Sequence, residues 1–172
     1  MVDQPFRVCF VCSGNICRSP TAEVVLVAML SEAGLAEQFI VDSAGTGDWH
    51  AGDDMDNRAR NALVKAGYWP PLHVAKQFTV ADFDERDLVV VLDSGHLSRL
   101  TQLAAMADDP DDARASIVLL RNYDAQAMAA REFDVPDPYY DDADGFDAVL
   151  AMVERACAGL RRSLIGREAI SG

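Results

Sequence analysis

Cys12-Ser13-Gly14-Asn15-Ile16-Cys17-Arg18-Ser19-Pro20 follows directly on the apolar run Val8-Cys9-Phe10-Val11, and the reading of the chain turns on this junction. A continuous apolar run of this kind marks a strand buried on both faces. Beyond Pro20, apolar groups recur at Ala22, Val25, Leu26, Met29, Leu30 and Ala33, the spacing of one helix face, and Gly34 stops it. The stretch from Cys12 to Pro20 therefore joins a buried strand to a helix. An arc in that position can wrap its backbone N–H groups around a tetrahedral anion. Gly14 and Asn15 are expected to supply the positive φ that such an arc needs.

Strand and helix patterns alternate outward from this junction. Phe39 to Ser43 reads as a second strand, followed by the Gly-rich turn Ala44 to Asp48. A helix is expected from about Asp56 to Ala66, with Ala59, Ala62, Leu63 and Ala66 inward and Gly67 as its stop. Leu88 to Leu92, enclosed by Asp87 and Asp93, is the clearest strand. A helix over Ser94 to Ala107, an acidic loop over Asp108 to Asp112 and a strand over Ile117 to Leu120 follow. The last helix, Gly145 to Ser163, lines Phe146, Val149, Leu150, Val153, Cys157, Leu160 and Leu164 on one face, which makes Cys157 a small core residue. These patterns predict a single-domain α/β fold: a four-stranded parallel sheet, helices on both faces, and an anion-binding loop after the first strand. In such folds ligands bind beyond the carboxyl ends of the strands, where strand order reverses. The domain is expected over residues 1–164, with 165–172 a tail free to fray.

Fifteen basic residues against 28 acidic ones give a net charge of −13. That balance argues against nucleic acid and anionic membranes as partners, since both reward a basic face. It also means that any phosphate dianion must be met locally, by one arginine and by backbone N–H groups. No run reaches the ~18 apolar residues of a membrane span. Met1 to Arg7 lacks the features of a signal peptide, so a cytoplasmic monomer is expected, with signal-independent export left open. Cys9, Cys12, Cys17 and Cys157 are too few and too clustered for a disulfide framework. Cys9 and Cys12 spell C-x-x-C, but Cys9 lies inside a strand and no second pair follows at zinc spacing, so no metal or cofactor is expected.

The residue types at the junction suit nucleophilic catalysis on phosphorus. Thiolate is the reactive form of cysteine, and both a following helix N-terminus and a nearby cation favour it. Cys12 would have the helix and Arg18. Arg18 can clamp two phosphoryl oxygens through its planar fork. Ser19 can donate its hydroxyl to the sulfur, or cap the helix ahead of Pro20; the two roles are compatible. Cys17 shares the loop, so it either packs or captures an oxidised Cys12 as a disulfide, which would require the loop to bend.

The segment Val11-Cys-Ser-Gly-Asn-Ile-Cys-Arg-Ser-Pro-Thr-Ala-Glu23 resembles the signature of the low-molecular-weight protein tyrosine phosphatases. The resemblance continues in order through Asp42-Ser-Ala-Gly-Thr46, Trp49-His50, His73, the strand ending at Asp93, and Asp137-Pro-Tyr-Tyr140. It implies hydrolysis of phosphotyrosine and small aryl phosphates through a phosphocysteine on Cys12, with Ser13, Gly14, Asn15, Ile16 and Cys17 forming the loop and Arg18 holding the phosphoryl group. It further implies that Asp137 is the general acid and then the base, since a phenolate leaving group needs a proton. Trp49, Tyr139 and Tyr140 would wall the cleft around a phenyl ring. Asn15, Ser19, Ser43 and His73 would brace the loop. Phosphotyrosine proteins, and a cognate tyrosine kinase, are the implied partners.

The chain departs from the family in having Asp141-Asp142 after Tyr140, where glycine is common. His50 and His96 read as ordinary loop histidines. Arsenate reductases share the loop but need resolving cysteines, and none lies between Cys17 and Cys157. Protein arginine phosphatases carry threonine where this chain has Ile16, whose methyl groups suit a phenyl ring. A pure phosphate-binding module would need neither thiol nor acid.

Overall fold

The computed structural model describes residues 4–171, with side chains described through residue 167. Strand β1 (Phe6–Cys12) lies inside a four-stranded sheet of order β2-β1-β3-β4, completed by β2 (Phe39–Gly45), β3 (Leu88–Val91) and β4 (Ile117–Leu119). Every pairing is parallel, with Phe6 beside Phe39, Val8 beside Leu88 and Val89 beside Ile117. Alternation along β1 divides the core in two. Val8, Phe10 and Cys12 join the cluster packed under α1 (Arg18–Glu32), α2 (Asn57–Lys65) and α6 (Ala143–Ser171). Cys9 and Val11 join the cluster on the opposite face, under α3 (Ser94–Ala104) and α4 (Pro110–Ala115). β3 does the same, with Leu88 and Val90 on one side and Val89 and Val91 on the other. A strand apolar at every position is stable only with both faces covered, and fully burying each such side chain is worth ~1.5–3 kcal/mol.

That alternation also separates Cys9 from Cys12, which point to opposite faces of the sheet and share no site. Among the described residues no helix is long and apolar enough to cross a membrane.

The expected elements are present, with several boundaries moved. Two further helices form where none was expected. α4 occupies part of the acidic stretch whose composition suggests a loop: Asp109 caps it by accepting from the Asp112 N–H, and Pro110 occupies its first turn. Proline is compatible with that position because the N–H it lacks has no intrahelical partner there. α5 (Ala125–Ala130) is capped by Asp124 and ends at Arg131 in a left-handed conformation. The last helix continues to Ser171, beyond the expected end at Ser163. Ser19 is no helix cap: α1 begins at Arg18 with Cys17 as its cap residue, and the Ser19 hydroxyl is directed elsewhere.

Because β2 and β3 lie on opposite sides of β1, chain order reverses beside β1. The carboxyl ends of β1 and β3 therefore open onto one crevice, with the loop after β1 at its floor.

Candidate active site

The loop from Cys12 to Arg18 is shaped by where its carbonyls go. Cys12 O accepts from Thr46 N (2.8 Å), Ser13 O from Gly47 N (3.2 Å), Ile16 O from Asp56 N (2.8 Å) and Cys17 O from Thr21 N (3.3 Å). Asn15 O accepts from His73 Nε2 at 2.7 Å. A trans peptide sets its N–H opposite its C=O. With these carbonyls turned outward, the N–H groups of Ser13, Gly14, Ile16, Cys17 and Arg18 are turned toward the inside of the arc. The result is a concave cradle of partial positive charge at the start of α1.

Asn15 holds the curvature. Its φ is +58°, a left-handed conformation that is strained for any residue with a Cβ. Its side chain anchors it on three sides. Nδ2 donates to Ser19 Oγ (2.9 Å) and Ser43 Oγ (2.9 Å), and Oδ1 accepts from Lys76 N (3.0 Å). Ser43 in turn donates to Glu23 Oε2 at 2.5 Å. Burial pushes the Glu23 carboxyl above its usual range, although the Ser43 hydroxyl opposes that shift. Since Asn15 donates to Ser19, the Ser19 hydroxyl proton remains for Cys12 Sγ at 2.9 Å, with Ala44 O a longer alternative at 3.3 Å.

Gly14 does not supply positive φ, contrary to the expectation from sequence. It is small because His50 lies over it: a Cβ there would stand 2.8 Å from His50 Cδ2. The more demanding glycine is Gly45, where a Cβ would meet Ser13 O at 2.6 Å and Gly47 O at 3.0 Å.

Arg18 is buried and held on one side only. Its Nη1 donates to Asp93 Oδ2 (2.7 Å) and Val135 O (2.9 Å). Its Nη2 has longer contacts, to His96 Nε2 (3.4 Å), Ser13 Oγ (3.5 Å) and Asp137 Oδ2 (3.6 Å). Burial alone would raise the Asp93 carboxyl, but the His96 N–H and Arg18 hold it below the usual carboxylate range. The pairing keeps one face of the guanidinium fixed and leaves the other toward the crevice.

The crevice has a volume of about 280 Å³, with Cys12 and Arg18 in its floor and Asp137, Trp49, His50, Tyr139 and Tyr140 around its mouth. Trp49 (71% exposed) and Tyr140 (93%) stand in solvent, whereas Tyr139 is more enclosed at 38%. Tyr139 packs edge-on to Tyr140 and lies under the Arg58 guanidinium, which also covers the Phe146 ring. Arg58 donates to Asp141 O (3.3 Å) and pairs with Asp56, and so links the segment carrying Asp137 to α2. Cys17 also lines the crevice, and burial first, then Asp56 and Cys12, push its thiol up to about 12. All four cysteines are free thiols.

The fold thus gathers Cys12, Ser13, Gly14, Ile16, Cys17 and Arg18 with Trp49, Asp137, Tyr139 and Tyr140, and sets Asn15, Ser19, Ser43 and His73 behind them. Sequence reasoning missed Asp93, His96, Arg58 and Gly45. Asp93 and His96 reach the site through the pairing of β3 with β1, which no local sequence signal gives.

Residues 7–169 match the family model described as low molecular weight phosphotyrosine protein phosphatase. A low molecular weight protein-tyrosine-phosphatase of Streptomyces coelicolor is 48% identical over 167 residues, covering 97% of each chain. The crystal structure of a protein tyrosine phosphatase from Entamoeba histolytica superposes with a TM-score of 0.86 at 30% identity, over 95% of this chain and 99% of that one. A Drosophila arginine phosphatase structure gives 0.82 at 27% identity, over 91% of this chain and 96% of that one.

Proposed function

The chain belongs to the low molecular weight phosphotyrosine protein phosphatases and is a protein tyrosine phosphatase; from that premise we propose how its own residues divide the reaction. The Cys12 thiolate attacks phosphorus while the inward N–H groups of the loop receive the charge on the phosphoryl oxygens. Arg18, anchored through Nη1, offers its remaining N–H groups to the same oxygens. Asp137 gives its proton to the departing phenolate as the P–O bond breaks. Water then attacks the phosphocysteine, Asp137 takes a proton from it, and the S–P bond breaks to release phosphate and regenerate the thiolate. The Ser19 hydroxyl, aimed at Sγ, stabilises the sulfur as it leaves. Substrates are phosphoproteins, and we read the class as phosphotyrosine.

One observation supports this division above the others: the thiol lies in the floor of a crevice whose loop turns the carbonyls of Cys12, Ser13, Asn15, Ile16 and Cys17 to groups outside it. We read Trp49, Tyr139 and Tyr140, which line the crevice with Ile16, as the aromatic walls that flank a phenyl ring. Asp141 and Asp142 beside the acid favour substrates with basic flanks. A cognate tyrosine kinase would supply such substrates. Turnover of an aryl phosphate with a chelator present, compared between wild type and Cys12→Ser, tests the assignment.

A further inference from the structure

His96 lies on the first turn of α3, is 4% exposed, and touches both groups that shape the phosphoryl side of the crevice. Its Nε2 is 2.9 Å from Ser13 Oγ and 3.4 Å from Arg18 Nη2. Its Nδ1 has no well-aligned hydrogen-bond partner, and lies 3.2 Å from Asp93 Oδ1.

These neighbours assign the proton. A guanidinium only donates, so the Nε2 that faces it must present a lone pair. A carboxylate only accepts, so the Nδ1 that faces it must carry the hydrogen. Burial, and then the charge of Arg18, push the imidazole down to about 4, so it is neutral at pH 7. With Nε2 an acceptor, the Ser13 hydroxyl donates to it, and the Ser13 oxygen is left to face Arg18.

We propose that His96 is a positioning residue for phosphoryl transfer: fixed as the Nδ1–H tautomer beside Asp93, it accepts the Ser13 hydroxyl's hydrogen bond at Nε2 and keeps the Nη2 arm of Arg18 oriented but weakly held. The proposal rests on the assignment of Arg18 to the phosphoryl group. The two arms of the fork differ accordingly. Nη1 makes two short bonds, whereas the three acceptors around Nη2 all stand at 3.4–3.6 Å. Long contacts orient that arm without saturating it, so it can turn to a phosphoryl oxygen at little loss. Without the imidazole acceptor, Ser13 would lose the partner that orients its proton, and Nη2 would be drawn into a closer pair with Asp137. That pair would occupy the phosphate clamp and the acid together.

Two measurements test this. Nitrogen NMR of the imidazole in the unmodified protein should report a lone pair on Nε2 and a proton on Nδ1; the opposite tautomer overturns the proposal, whatever the protein hydrolyses. In the second, His96→Leu keeps the bulk and loses the acceptor, whereas His96→Gln places an amide oxygen near the position of Nε2. Leaving a buried donor unpaired is enough to change an equilibrium by roughly 5-fold or more. His96→Leu should raise KM for an aryl phosphate and the inhibition constant of inorganic sulfate by at least about that factor, with kcat changed less, and His96→Gln should recover most of the loss. Equal losses in both variants, or a His96→Leu enzyme with wild-type KM, would refute it. Should His96→Leu not fold, Ser13→Ala removes the partner instead and should raise the same two constants. Loss of turnover in Cys12→Ser with an unaltered tautomer separates failure of this proposal from failure of the catalytic assignment.

Discussion

Asp137 Oδ2 stands 3.6 Å from Nη2 of Arg18, so the proposed acid and the phosphate clamp meet on one side of the crevice. The carboxyl is half-exposed while the guanidinium is buried and tied through its other nitrogen to Asp93. On the proposed assignment, a proton donor then stands beside the phosphoryl site yet open to the leaving group, the arrangement that departure of a phenolate requires.

Asp137→Asn should therefore hurt most where the leaving group is poor. General acid catalysis is typically worth ~10²–10⁴-fold, and turnover of a phosphotyrosine peptide should fall on that scale. An acidic nitrophenyl phosphate, whose phenolate departs unaided, should lose much less. Specificity constants on the two substrates are the measurement, and equal losses would show that Asp137 only shapes its loop.

Ile16 should decide between phosphotyrosine and phosphoarginine. Its side chain lines the crevice and offers no hydrogen-bond acceptor to a guanidinium. An unpaired buried donor costs about 1–3 kcal/mol, equivalent to roughly 5- to 150-fold. Wild type should favour phosphotyrosine peptides by a factor in that range, and Ile16→Thr should narrow the preference by raising activity on phosphoarginine. A preference unchanged by the substitution would remove Ile16 as the selector.

Gly45→Ala should destabilise the protein more than Gly14→Ala. At position 45 the added methyl meets backbone oxygens of Ser13 and Gly47, which cannot move without displacing the loop. At position 14 it meets the tip of the His50 ring, a side chain at the rim. Overpacking against fixed neighbours costs ~1–3 kcal/mol. Urea unfolding of the two variants, compared by midpoint and slope, should place Gly45→Ala lower; equal midpoints would mean that the loop yields freely.

The junction of β1, loop and α1 was legible from sequence because it is local. An apolar run, a cysteine, an arginine and a helix face follow one another within one stretch, and their geometry follows from their order. The arms that fix Arg18 were not legible. Asp93 caps α3 by accepting the His96 N–H at 2.8 Å, a contact local in the chain. Its second carboxylate oxygen reaches Arg18, 75 positions away, only because β3 lies beside β1. Gly14 was misread for a related reason. A glycine in a tight loop suggests positive φ, but here it makes room for His50, a neighbour across the crevice. α4 forms within a stretch whose acidic composition suggests a loop, because Asp109 caps it and Pro110 fits its first turn.

Cys17 bears on oxidation. Peroxide converts the Cys12 thiolate to a sulfenic acid with release of hydroxide, and condensation with the Cys17 thiol would give a disulfide and water. Burial and Asp56 keep Cys17 protonated, which makes it a slow resolving thiol. Wild type treated with peroxide and then dithiothreitol should recover more activity than Cys17→Ser under the same treatment. Full recovery of Cys17→Ser would leave Cys17 a packing residue only.

The central claim is that Cys12 carries the phosphoryl group. The most direct measurement is turnover of an aryl phosphate by wild type and by Cys12→Ser, both with chelator present, alongside the binding of inorganic phosphate to each. The chelator should change nothing, and Cys12→Ser should lose nearly all turnover while still binding phosphate through the loop N–H groups and Arg18. Turnover near the wild-type rate in Cys12→Ser, or activity abolished by the chelator, would contradict it.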